Sequence, residues 1–507
     1  MSIKLLDQFG KPMRIERPAR QPRGRERDGG PRSTYDIAQT TPENQNHWAW
    51  ATDLSANGEL SPDVRKTSRN RSRYERRNNS YAKGLVETKA HDLIGTGPRL
   101  QLTIPGAKIE SVRSVERQHR RWSKAAMIAD KYRVMAETQV TDGECFGVMV
   151  TNPILRHAVK LDVRTIEADQ CATPNLLWGD PRKAVDGIKF DQYGNPTEYH
   201  FLKTHPGDWW GFSLDYDKVS AESVVHWFRP GRPGQARGIS ELSAALPLFA
   251  QLRRYTLATL TAAEFAAMLA GVMKTNTPAE DGGEVEVSAA DRLPLVRGSL
   301  IALPEEWDAI QFKPEQPTGT YADFKAALLG EIGRGVHTPY SIVSGDGSRE
   351  NFSSMRFTVA LYQRSIWIER DRMQTRVLDP ILWAWLDEAV LAGLIPDDLP
   401  PFIEWDWEWH WDGFDSIDPV KDATAAQIRL ANGLTTYAAE FAAQGLDYVE
   451  VFDQQMKEIA MRAERGLPAP AAPEKASSSP AKDEKPSDEE DPAKDDESVP
   501  EKEVAHV

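Results

Sequence analysis

Two clusters in the 507-residue chain bring together side chains able to hold a cation or move a proton. Asp142, Glu144 and Cys145 lie close together, and Asp406, Glu408, His410 and Asp412 alternate with Trp405, Trp407, Trp409 and Trp411. Carboxylates and imidazoles are ligands for divalent ions. Alternation with period two puts the four polar groups of the second cluster on one face of a strand and the four indoles on the other. A solvated face above a tryptophan packing face accounts for that pattern without a metal. The first cluster reads as a turn leading into a strand. The two cysteines, Cys145 and Cys171, suit neither a disulfide framework nor a metal knuckle, which fits a reducing compartment.

Other catalytic signatures are missing. The sequence holds no G-x-x-x-x-G-K-[ST] phosphate loop, no G-x-S-x-G nucleophile elbow and no H-E-x-x-H zinc pair. Gly330, Gly333 and Gly335 cluster, but after a helical pattern rather than a strand, so a dinucleotide fingerprint fails on context. The expectation is a chain with no catalytic residue, no metal and no cofactor.

The elements that carry these groups follow from the residue pattern. A basic arm over residues 1–34 holds nine Lys/Arg against four Asp/Glu and is expected to be flexible unless bound. Arg65, Lys66, Arg69, Arg71, Arg73, Arg76 and Arg77 then form a basic run, read as a solvated helix face in preference to a nucleic-acid contact. Helices are expected over residues 78–94, ended by Gly95 and Gly97-Pro98, and over residues 112–128. Short β runs follow at 146–150, 159–163, 187–190, 198–202 and 224–228, so this part is an α+β domain.

From Ser240, a candidate N-cap, the chain turns helical and alanine-rich, with Pro247 marking a kink or a late start. Residues 255–273 carry one charge, Glu264, but their alanine and threonine content and that mid-span carboxylate favour a packed helix over a membrane span. Residues 275–317 are rich in Gly and Pro, with strand candidates at 284–287 and 299–303. A helix over 321–335, a loop around Gly345 and Gly347 and a long helix over 353–390 come next. Beyond residue 418 two shorter helices are expected, with Asn432-Gly433 as a stop and Thr435 or Thr436 as the following cap. From residue 467 five Lys face twelve Asp/Glu with almost no large apolar group, the composition of a disordered tail.

Four stretches resemble the lambda-type portal family of tailed phages. They are YAKGLVETKAHDLIGTGP at 81–98, RGISELSAALPLFAQLRRYTLATLTAA at 237–263, SRENFSSMRFTVALYQ at 348–363 and NGLTTYAAEFAAQGLDYVEVFDQQMK at 432–457. They occur in the family's order and span most of residues 80–465, leaving the basic arm and acidic tail outside. The resemblance implies an α+β portal fold that assembles as a closed dodecameric ring and is not an enzyme. It implies a wing over 35–239, stem helices over 240–274 and 318–338 around a small β clip at 275–317, and a channel loop at 339–353. A kinked long helix completing the wing at 354–415 and crown helices at 416–466 would follow.

On that reading Asp346, Arg349 and Glu350 face DNA in the channel, and Glu284, Glu286 and Glu305 dock partners at the clip. Ala262, Ala263, Ala266 and Ala267 lie at a subunit seam. The implied partners are double-stranded DNA, terminase, a head-completion or tail protein and the major capsid protein, with no membrane. The implied place is the virion, after assembly in the host cytoplasm. The net charge of −14 suits a bore that must let DNA slide, because tight binding to DNA depends mainly on Lys and Arg neutralising its phosphates. The alternative is a metal-dependent DNA-processing enzyme with a basic N-terminal arm, built on Asp142, Glu144, Asp406 and Glu408.

Overall fold

The computed structural model describes residues 46–49, 51–173, 183–209, 215–268, 272–275, 307–310, 320–414 and 418–468. They form a mixed structure of helices and small antiparallel sheets with no closed barrel among them. The basic arm, the acidic tail and the strand candidates at 284–287 and 299–303 lie outside the described residues.

The chain opens with α1 (Ala56–Glu59), α2 (Pro62–Asn78) and α3 (Ser80–Ile94). Ser61 caps α2 ahead of Pro62, and the Asn79 side chain accepts from the amides of Tyr81 and Ala82 to start α3. The strand β1 (Arg99–Thr103) leads to α4 (Ile109–Ala125) and α5 (Ile128–Asp142). The α5 helix ends at Asp142, and a left-handed Gly143 turns the chain directly into β2, as expected for the first cluster. Then come β2 (Glu144–Thr151), β3 (Leu161–Ile166), β4 (Ala184–Val185), β5 (Ile188–Phe190), β6 (Pro196–Leu202), β7 (Tyr216–Ser220) and β8 (Val224–Phe228). They pair as β3-β2-β8 and β4-β5-β6-β7, all antiparallel.

The helix α6 (Leu246–Met268) starts later than Ser240. Ser240 instead is buried, and its hydroxyl accepts from the Ser72 hydroxyl at 2.7 Å. Two strands, β9 (Val272–Thr275) and β10 (Trp307–Ile310), pair antiparallel. The chain returns in α7 (Thr320–Gly335) and the short α8 (Tyr340–Ser344), which occupies part of the expected loop. The long helix is α9 (Phe352–Met373) joined to α10 (Asp379–Leu391) by a π turn over Gln374–Leu378. Pro380 has no N–H to donate and its ring crowds the preceding turn, so the regular ladder cannot pass there.

The strand β11 (Asp406–His410) pairs with β1. Three helices, where two were expected, end the described chain: α11 (Pro419–Ala431), α12 (Tyr437–Ala443) and α13 (Tyr448–Glu464). The largest core gathers Trp122, Trp227, Trp385, Trp405 and Trp409 from α4, β8, α10 and the β11 region. A second core joins α3 to the start of α6 and to α7 through Leu85, Phe249 and Ile332.

Candidate functional site

The first sequence cluster is part of a buried ion-pair network. Arg65, Arg69 and Arg73 recur every fourth residue on α2, so they share one helix face. That face meets Asp142, Glu144, Asp169 and Asp186. Arg65 lies 3.2 Å from Glu144 and also pairs with Asp186, Arg69 lies 2.9 Å from Asp169, and Arg73 lies 2.5 Å from Asp142. Arg237 donates to Glu144 at 2.7 and 2.9 Å, the Gly238 amide donates at 2.9 Å, and His226 Nε2 lies 3.2 Å away.

Two glycines make this approach possible. A Cβ on Gly143 would stand 2.0 Å from the Ile239 carbonyl carbon, and one on Gly238 would stand 2.1 Å from the Gly143 oxygen. The basic run is therefore neither a solvated face nor a nucleic-acid surface at these three positions. It is the cationic half of an interior network.

The electrostatics follow from burial and pairing. Burial alone would raise the Glu144 carboxyl, but Arg237, His226 and Arg65 outweigh it and hold the group well below its ordinary value of 4.5. Burial, with Arg237 beside it, lowers Arg65 to about 9. Burial pushes the Cys171 thiol up to about 11 and moves Cys145 in the same direction, so neither is a poised nucleophile. With its oxygens already taken by arginines, Glu144 offers nothing to a metal. Asp142 is likewise held by Arg73.

The second cluster keeps its alternation. Trp405 and Trp409 are buried, and the indole N–H groups of Trp407 and Trp409 both donate to Asp379 Oδ1 at 2.9 Å. Asp406 and Glu408 are exposed. Asp412 accepts from the Thr96 amide and hydroxyl, at 2.5 and 3.0 Å, and so serves the turn after α3. Among the described residues one other set, Glu167, Asp169 and His205, brings ligand atoms within 4.8 Å of one another. The Arg73 guanidinium already lies 2.9 Å from both carboxylates and fills the cationic position.

The residues that the family resemblance singles out are spread over the helical part. The α6–α7 pair forms a hairpin in which Tyr255 stacks on Tyr321 at 5.6 Å and meets Phe324 edge-on at 4.7 Å. Ala262 is exposed and Ala263 is half-buried; Ala266 and Ala267 continue the helix. After α8, Asp346 and Arg349 are exposed, with Arg349 paired to Asp323 of α7 at 2.9 Å. Glu350 accepts from the Thr358 hydroxyl at 3.2 Å. Glu284, Glu286 and Glu305 lie outside the described residues.

Comparison with known proteins decides the family. The model of the family described as "Phage portal protein, lambda family" matches residues 42–370. The chain belongs to that family. It is 25% identical to the "Probable portal protein" of Halomonas phage phiHAP-1 over 470 residues, covering 86% of this chain and 88% of that protein. "Portal protein B" of Escherichia phage lambda is 22% identical over 365 residues, covering 65% of this chain and 68% of that protein. Among solved structures, the chain is similar to one from the neck of an empty gene transfer agent particle. The TM-score is 0.47 and the identity 14%, covering 74% of this chain and 93% of that one. For this portal-family chain, the matched region holds the arginine network, the α6–α7 hairpin and the loop before α9, whereas α11, α12 and α13 lie beyond it. No helix among the described residues is long and apolar enough to cross a membrane.

Proposed function

We propose that this portal-family chain is the subunit of a closed ring at one vertex of a tailed-phage capsid. Double-stranded DNA passes through the ring during packaging and ejection. The observation that carries this reading is the family match over residues 42–370, extended by a relative across 86% of the chain. Residues 35–239 and 354–415 form the wing, 240–274 and 318–338 the stem, 275–317 the clip, 339–353 the channel loop and 416–466 the crown. Terminase and later a head-completion or tail protein dock at the clip through Glu284, Glu286 and Glu305, and the wing meets the major capsid protein. Asp346, Arg349 and Glu350 border the DNA path.

One feature favours a structural role over the metal-enzyme alternative: the Asp142 and Glu144 oxygens are taken by arginines. The α6 helix also runs without charge from Tyr255 to Ala263 yet leaves Leu257 and Leu260 exposed. Such a surface suits burial against another subunit. The test is the mass of the purified chain with an electron micrograph of the same sample. A ring of about ten or more subunits, expected from closed symmetry, supports the reading. A monomer under all conditions, or one that cleaves DNA when given a divalent metal, refutes it.

A further inference from the structure

The α4 helix has two opposed faces. Val115, His119 and Trp122 are buried, and the His119 ring packs against Trp122, Trp385 and Trp409 at 5.3, 5.1 and 5.7 Å. Arg113, Arg117, Arg120, Arg121 and Lys124 follow the same helical spacing on the opposite side. At about 100° per residue these five cations fall within roughly one quarter to one third of the helix circumference. They extend over about 16 Å of helix rise. Arg117, Arg121 and Lys124 are exposed and have no carboxylate partner among the described residues.

The other two cations are paired with carboxylates, Arg120 while still exposed. Arg113 lies 2.5 Å from Asp453 and Arg120 lies 2.7 Å from Glu450, both carboxylates on α13. No residue of α13 is fully buried. Its aromatic contacts are with itself and with α12, Phe452 packing on Tyr437, Phe441 and Tyr448.

We propose that this face of α4 binds the phosphate backbone of duplex DNA, and that the carboxylates of α13 stand over part of it where phosphates would sit. A stripe of arginines backed by a rigid core presents donors in the geometry that phosphate oxygens accept. Duplex DNA offers about one negative charge per 1.7 Å of axis, enough to engage every cation of the stripe. An acidic protein segment is the less suited occupant. The exposed apolar side chains nearby, Ile109 and Met127, stand at opposite ends of the helix and form no continuous patch, whereas protein interfaces are built around an apolar core. The inference goes beyond the conduit reading: a channel lets DNA slide, whereas this surface holds it, and its binding does not require a ring.

The experiment measures binding of a short duplex of random sequence to the full chain by fluorescence anisotropy at several salt concentrations. The oligomeric state is recorded in the same samples. The triple variant Arg117→Gln, Arg121→Gln, Lys124→Gln should bind more weakly, with the slope of log K against log salt reduced by about 0.9 per cation removed. The pair Glu450→Gln, Asp453→Asn uncovers Arg113 and Arg120 and should bind more tightly than the unaltered chain. Unchanged affinity and slope in the triple variant overturn the proposal, as does a chain that captures polyglutamate and not DNA. Failure to tighten on removing the two carboxylates overturns the covering role. Loss of rings with DNA binding intact strikes the portal reading and leaves this one standing; the converse does the reverse.

Discussion

Glu144 shows how far apart in sequence a buried charge finds its partners. It lies on the first residue of β2, yet its counter-charges come from α2 and from the segment before α6. Changing Glu144 to Gln keeps the shape and removes the charge, leaving Arg65 and Arg237 buried without their shared counter-ion. Breaking one side of a buried pair costs about 3–5 kcal/mol, so thermal unfolding of the variant should fall well below that of the unaltered chain. The folded-state carboxyl is held below 4.5, so its contribution is present above that value and lost as pH falls through the folded one. The variant's stability should therefore depend less on pH in the acid range, and a parallel acid limb in both proteins would disprove the assignment. Asp142 and Glu144 stand out in the sequence as unusual, and the four-residue spacing of Arg65, Arg69 and Arg73 is in plain view there. That the two sets meet is not legible, because the pairing spans about 70 residues and rests on the Gly143–Gly238 contact.

At the scale of elements, local signals that depend on neighbours in sequence are readable. The tryptophan alternation marks β11, Asn432-Gly433 ends α11, and Thr436 caps α12 by accepting from the Ala439 amide. The α5 helix is hidden because its buried residues include Gln139, Thr141 and Asp142, polar groups whose burial depends on tertiary partners. The contact of α13 with α4 carries a pH dependence of its own. Burial raises Glu116 to about 7; its bond from the Leu102 amide opposes the rise, and Asp447 adds to it. A raised acid binds its proton more tightly in the packed state, so packing incurs no penalty below the ordinary value of 4.5. The penalty grows as pH rises toward about 7 and is complete above it. Facing Glu116 are Arg120 of its own helix and the carboxylates Asp447 and Glu450 at the start of α13. Hydrogen exchange in α13 should therefore quicken between about pH 5 and pH 7 beyond the intrinsic rate, and Glu116→Gln should remove that excess. An equal excess in the variant would mean that another group controls the contact.

At the scale of the whole molecule, the order of α+β part, helical hairpin, loop and long helix is legible in the sequence, and the family match spans it although identity to a relative falls to 25%. The surfaces that join subunits are less legible. The alanines at 262, 263, 266 and 267 stand out as small residues, but Ala262 is exposed while Ala263 is half-buried. A more direct mark is Leu257, 63% exposed, and Leu260, 55% exposed, on a stretch with no charge to keep it in water. Both would be buried if neighbouring hairpins pack side by side. Replacing them together with Asp places two carboxylates at every seam, where desolvation costs several kcal/mol per ion. The same lesion recurs around the circle, so closure fails even if one contact could bear it. In an isolated subunit these positions already face water, so the fold should be untouched. The expected outcome is a circular dichroism spectrum and melting temperature close to those of the unaltered chain, with sedimentation shifted from ring to monomer or short arc. Intact rings from the double variant would show that this flank of the hairpin faces solvent or the bore. An unfolded monomer would instead show that Leu257 and Leu260 are covered within the subunit by residues outside the described part of the chain.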